Sequence, residues 1–214
     1  MTRRLMPLHG PRDGHLQGLD VFYPIVPSAE WVARLLPLGV KTVQLRVKDA
    51  APDVIAREIA AALDLCRRHG CQLIVNDYWR EALDAGADFV HLGQEDLAGA
   101  DVAALKATGV RLGISTHSHE ELATALAVQP DYVALGPIYE TKLKVMKWAP
   151  QGLGRITEWK ARIGALPLVA IGGITLANAA EVHAAGAASV AVISDLLATG
   201  DPETQTRQYL RQLA

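Results

Sequence analysis

The stretch 75–96 reads VNDYWREALDAGADFVHLGQED, and it holds one complete unit of the fold. An apolar run, Leu73-Ile74-Val75, enters it and ends at Asn76-Asp77. A helical segment follows and stops at Gly86, and a second run, Phe89-Val90-His91-Leu92, leads toward Asp96. Glycine tolerates the left-handed conformation that ends a helix, so Gly86 reads as a helix stop before a strand. The same junction recurs as Gly39 before VKTVQL, Gly70 before CQLIV, Gly109 before VRLGIS, Gly164 before ALPLVAI and Gly186 before AASVAVI. Gln129-Pro130 makes it before DYVALG without a glycine, and the run from Val21 to Val26 completes a set of eight strands.

These runs are continuously apolar rather than alternating, as parallel strands covered by helices on their outer face should be. The segments between them carry helical periodicity. Val54, Ile55, Ile59, Ala62, Leu63 and Cys66 share one face, as do Leu153, Ile156, Trp159 and Ile163. Ser118-His119-Glu120-Glu121 is a capping-box pattern, Asp101 and Thr175 are N-cap candidates, and Asp201-Pro202 pairs a cap with a proline at the first helical position. Eight strands, each followed by a helical segment, predict an α/β fold, a single-domain (β/α)8 TIM barrel over residues 19–214. An open doubly wound sheet is the runner-up.

The 214 residues carry 21 basic and 23 acidic side chains, a net charge of −2. That balance offers no basic footprint for nucleic acid. No apolar stretch approaches the ~20 residues of a membrane span. Residues 1–18 are expected to be a flexible tail; Pro7, Gly10, Pro11 and Asp13 leave it no signal-peptide core, so a cytoplasmic location is expected. Cys66 and Cys71 read as reduced core residues. Small molecules are the expected partners, and a homo-oligomer is an open option.

In such a barrel the active site lies at the carboxyl ends of the strands. The polar residues just past each run are therefore the candidates: Gln44, Arg46 and Lys48; Asn76 and Asp77; His91, Gln94 and Asp96; Ser115, Thr116 and His117; Tyr139, Thr141, Lys142 and Lys144; Gly172-Gly173; and Ser194. Neighbouring strands lie about 4.8 Å apart, so Asp77 and Asp96 can converge. Each could instead cap the helix that follows it. Together, beside Arg46, Lys48 and Lys144, they suit a Mg²⁺ ion that takes one or two carboxylates and leaves room for substrate phosphates. Arg supplies a rigid fork for phosphate oxygens and Lys a mobile point charge. A second anion site is suggested by VAIGGI (169–174) with VAVISD (190–195), through glycine-exposed N–H groups and a short helix after strand eight. The segment from Gly136 to Gln151 is long for a compact domain and is expected to be a functional loop.

The blocks VQLRVKD (43–49), VNDYW (75–79), VHLGQEDL (90–97), LGISTH (112–117), LGPIYETKLK (135–144), APQGL (149–153), VAIGGI and VAVIS resemble, in order, those of the thiamine phosphate synthase family. The resemblance runs from about Gly18 to the C-terminus. It implies a Mg²⁺-dependent barrel that joins 4-amino-2-methyl-5-(diphosphooxymethyl)pyrimidine to 4-methyl-5-(2-phosphooxyethyl)thiazole. It further implies that Gln44, Arg46, Lys48, Asn76, Ser115 and Lys144 contact the pyrimidine diphosphate and that Asp77 and Asp96 hold the metal. Thr141, Gly173, Ile193 and Ser194 would bind the thiazole phosphate, with Lys142 and Leu143 in the same loop. Arg46, Lys48, Lys144 and Ser115 are the expected catalytic residues. One departure stands out. The family's loop usually reads Thr-x-Thr-Lys, and here Leu143 replaces the second hydroxyl, while Lys142 either compensates with charge or faces solvent. Two alternatives share the barrel: a thiazole tautomerase, with His117 as an acid/base candidate, and a non-catalytic sensor of thiamine phosphate.

Overall fold

The computed structural model describes residues 18–141 and 148–214. Residues 1–17 of the tail expected at 1–18 and three loop candidates, Lys142, Leu143 and Lys144, lie outside them. Eight parallel strands close into a barrel in sequence order: β1 (Phe22–Val26), β2 (Thr42–Leu45), β3 (Gln72–Asn76), β4 (Phe89–Leu92), β5 (Arg111–Thr116), β6 (Tyr132–Leu135), β7 (Leu168–Ile171) and β8 (Ser189–Val192). Closure is made by β8 against β1, with Phe22 opposite Val190 and Pro24 opposite Val192.

Helices α1 (Ala29–Leu35), α2 (Pro52–His69) and α3 (Trp79–Asp84) follow the first three strands. Two short helices, α4 (Gln94–Gly99) and α5 (Val102–Ala107), follow β4, and α6 (His119–Ala127) follows β5. The ring is completed by α7 (Gly152–Ile163), α8 (Ala179–Ala184), the one-turn α9 (Ser194–Leu197) and α10 (Pro202–Gln212). The periodic faces read from sequence are the buried ones, with Ile55, Ile59, Ala62, Leu63 and Cys66 in α2 and Ile156 and Trp159 in α7.

All six junction glycines have positive φ, and Gln129 takes the same left-handed conformation at φ 49°. Ser118, Asp101 and Asp201 cap their helices, accepting from the N–H groups of Glu121, Ala104 and Thr204. Thr175 does not cap α8 with its side chain. Its N–H instead donates to Asn178 Oδ1 at 2.8 Å, while its carbonyl accepts from Ala179 N–H at 3.0 Å. The two cysteines are free and buried.

Apolar packing falls into two bodies, one between sheet and helices and one inside the barrel. The inner body contains Tyr23, Ile25, Ile74, Phe89, Tyr132, Ala134, Val169 and Ala191. At the amino-terminal end of the strands, Arg111 donates to Gln72 Oε1 and pairs with Asp88 at 3.2 Å, its guanidinium lying 4.4 Å from the centre of the Phe89 ring. Nearer the centre the Tyr132 ring lies across β5 at Gly113. A Cβ added there would stand 2.1 Å from the ring. Gly113→Ala should therefore overpack the barrel and destabilise it by about 1–3 kcal/mol. An unchanged urea midpoint would mean that the ring moves aside freely.

Candidate active site

The strand exits bring most of the polar candidates to one mouth. Thr116, however, is fully buried against α7, donating to Ala134 O and accepting from Trp159 Nε1, and Tyr139 donates outward to Glu181 of α8. Gln44 and Asn76 are buried on β2 and β3, with Gln44 directly opposite Ile74. Past β3, the Asp77 N–H donates to His91 O at 2.9 Å and extends the β3–β4 ladder by one residue. The chain then turns left-handed at Asp77, φ 65°, a conformation that Asp visits at modest cost and that is often kept at functional sites.

Neither aspartate caps a helix. The N-cap of α3 is Tyr78, without a side-chain bond, and Asp96 lies inside the first turn of α4, whose N-cap is Gly93. Their carboxylates instead meet each other. Burial, then the neighbouring Asp96 charge, pushes the Asp77 carboxyl up to about 6, against the pull of Arg46 and a hydrogen bond from Asn76. Two oxygen-donor carboxylates with Asn76 beside them form a donor set of the kind Mg²⁺ takes, and no third His, Cys, Asp or Glu joins them among the described residues. Arg46 also faces His91, whose ring is held neutral by burial first and by that cation second, its pKa falling to about 3. Lys48 is exposed.

Ser115, on β5, is fixed twice. Its Oγ lies 2.8 Å from His91 Nε2, and its carbonyl accepts from Gln94 Nε2 at 2.7 Å. His91 continues inward through Nδ1 to Tyr132 Oη at 2.7 Å, which lies 3.0 Å from Tyr23 Oη. Tyr23 Oη in turn accepts from Gln44 Nε2 at 2.8 Å. Sequence reading found Gln44, Ser115 and His91 but missed the two tyrosines that join them inside the barrel.

The second candidate anion site lies at the ends of β7 and β8, which run side by side with Ile171 opposite Ala191. Gly172 and Gly173 are left-handed at φ 99° and 67°. They also have a packing role, because a Cβ on Gly172 would stand 2.7 Å from Pro137, and one on Gly173 2.4 Å from Glu140 O. The loop after β6 is thereby pressed against β7, with Ile138 N–H donating to Ile171 O and Tyr139 N–H to Gly172 O. Thr141 follows directly. The returning end of this loop is pinned by Gln151, whose N–H donates to Pro137 O and whose Nε2 donates to His117 O. Ser194 opens α9, where the first N–H groups have no intrahelical acceptor. Asp195, which the sequence reading placed in the VAVISD block without a role of its own, accepts from Leu176 N–H, Gln205 Nε2 and Tyr209 Oη and so ties the β7 and β8 loops to α10. Ile193 packs against the inner body.

His117 does not stand free at the mouth. Its Nδ1 lies 2.7 Å from Glu121 Oε2, and its ring is nearly parallel to that of Trp148, 6.0 Å away.

Fold and mouth together define a single-domain parallel (β/α)8 barrel whose charged and hydroxyl groups gather at the carboxyl ends of its strands. Residues 22–196 match the family model described as thiamine monophosphate synthase. The chain is 57% identical over 196 residues to a thiamine-phosphate synthase of Rhizobium etli, covering 92% of this chain and 96% of that protein. It is 47% identical over 188 residues to one from Neisseria meningitidis serogroup A, covering 88% and 92%. Among solved structures, a thiamine phosphate pyrophosphorylase from Pyrococcus furiosus superposes with a TM-score of 0.78 at 28% identity, over 91% of this chain and 95% of that one. The chain belongs to the thiamine monophosphate synthase family.

The acid pair has a measurable signature. Above pH 3.8 an unfolded Asp77 has lost its proton, whereas the folded one keeps it up to about 6. The folded state thus binds more protons in that window, and stability falls as pH rises through it. In metal-free buffer, Asp77→Asn should flatten that fall and raise Tm at pH 7.5 relative to the parent. An unaltered pH–Tm curve would separate the two carboxylates.

Proposed function

We propose that the chain is a thiamine phosphate synthase, a transferase that joins 4-amino-2-methyl-5-(diphosphooxymethyl)pyrimidine to 4-methyl-5-(2-phosphooxyethyl)thiazole, releasing pyrophosphate. The observation that carries this reading is the 57% identity to a synthase over nearly the whole chain. The convergence of Asp77, Asp96 and Arg46 at the mouth supports it.

Asp77 and Asp96 would hold Mg²⁺, with Asn76 beside them. When bound, the ion supplies positive charge that stabilises a departing pyrophosphate. Arg46, set against both Asp77 and His91, would add a fixed cation on the same side, and Lys48 and Lys144 mobile ones. Gln44 and Ser115 would orient the pyrimidine half. Thr141, Gly173, Ile193 and Ser194, with Lys142 and Leu143, would take the thiazole phosphate. No side-chain nucleophile is required. The aminopyrimidine stabilises positive charge at its methylene as the diphosphate leaves, and the thiazole nitrogen, held opposite, closes the new bond. Catalysis then consists of orientation and charge stabilisation at the leaving group. Of the described helices none is long and apolar enough to cross a membrane.

The direct test supplies both substrates to purified protein with Mg²⁺ or with EDTA. Metal-dependent thiamine phosphate is expected, and binding of both substrates without product would favour a sensor. Arg46→Ala should lower kcat by about 10²–10³, the cost of losing one aimed charge donor, while near-normal turnover would remove it from the leaving-group role. Leu143→Thr restores the hydroxyl of the family's loop and should lower KM for the thiazole phosphate. An unchanged KM would assign that position no contact.

A further inference from the structure

The side chains of Gln44, Tyr23, Tyr132, His91 and Ser115 form one file from β2 through the barrel interior to β5, in which Gln44 reaches both tyrosine hydroxyls. Its members can be oriented by counting protons. The Gln44 amide nitrogen can only donate, so Tyr23 Oη accepts from it, and the arrangement that leaves no buried hydroxyl proton unpaired sends the Tyr23 proton to Tyr132 Oη. Tyr132, having accepted, donates to His91 Nδ1. A neutral imidazole that accepts at Nδ1 has its hydrogen on Nε2, and that hydrogen meets Ser115 Oγ. The Ser115 hydroxyl is then left with its own proton and no claim on it from inside the barrel. Gln94 holds the Ser115 carbonyl and so fixes the backbone that carries the hydroxyl.

The geometry points to a polarity relay in which Gln44, Tyr23, Tyr132 and His91 act as positioning residues that keep Ser115 a hydrogen-bond donor toward the mouth, aimed at an anionic oxygen of the bound substrate. No proton is transferred along the file; each member only sets the direction of the next bond. The file is costly to disturb, since Tyr23, Tyr132, Gln44 and His91 are all buried and each loss leaves a polar atom unpaired. It also explains why β5 has glycine at position 113, because only a missing side chain lets the Tyr132 ring reach the barrel centre. The identity of the anion as a diphosphate rests on the synthase reading, whereas the direction of the file does not.

The experiment is ¹⁵N NMR on the full chain labelled at histidine, with the His91 resonances assigned by their loss in His91→Gln. The relay requires the neutral Nε2–H tautomer in the parent protein. Finding Nδ1–H would overturn it, because Ser115 would then donate into the ring. Tyr132→Phe removes the donor to Nδ1 and should give a mixed tautomer, with kcat about tenfold lower and KM for both substrates within about twofold. Tyr23→Phe removes one of the two groups that direct the Tyr132 proton to His91 and should give a smaller share of the second tautomer and a smaller loss of kcat than Tyr132→Phe, whereas parental tautomer and kcat would take Tyr23 out of the relay. A mixed tautomer in Tyr132→Phe with parental kcat would also overturn the proposal. Should the parent protein lack synthase activity, the tautomer is still readable, so the two readings fail separately.

Discussion

Closure of β8 onto β1 is the constraint from which the functional geometry follows. With Phe22, Tyr23 and Pro24 in register with Val190, Ala191 and Val192, no strand edge is left open. All eight strands then run the same way around one axis, and every strand exit faces the same mouth. Residues as distant in sequence as Arg46, Asp77, Ser115 and Ser194 become neighbours of one concavity. An open sheet of the same strands would spread them along a line.

A closed barrel must also be filled, and its filling determines what the mouth can do. Most of the interior is apolar, but Tyr23 and Tyr132 send their hydroxyls into it, where an unpaired polar atom would be costly. Each finds its partner in the other and in a group closer to the mouth, Gln44 for one and His91 for the other. The interior is therefore both packing and wiring. Its far end is the half-buried Ser115, bonded through its hydroxyl to His91 and through its carbonyl to Gln94.

The mouth stores strain and charge that the fold balances elsewhere. Asp77 takes a left-handed turn and sits against a second carboxylate, which by itself is unfavourable. On the opposite side, Gly172 and Gly173 let the β6 loop press against β7, and Asp195 braces the two loops against α10. The mouth is thus assembled from segments that are each anchored behind it.

The sequence by itself determined the barrel. A helix, a left-handed residue and a short apolar run recurred along the chain, and each of the three is a local property of a few residues. It also picked out Asp77, Asp96, Arg46 and Ser115, because polar residues just past buried strands have one face to occupy. It could not tell whether the aspartates cap helices or meet each other, since both arrangements satisfy the same spacing. Nor could it find Tyr23 and Tyr132, or give Asp195 its role. Strands buried on both faces show no alternation, so which side chains point into the barrel is decided only when the sheet closes and a ring from β6 crosses Gly113 of β5.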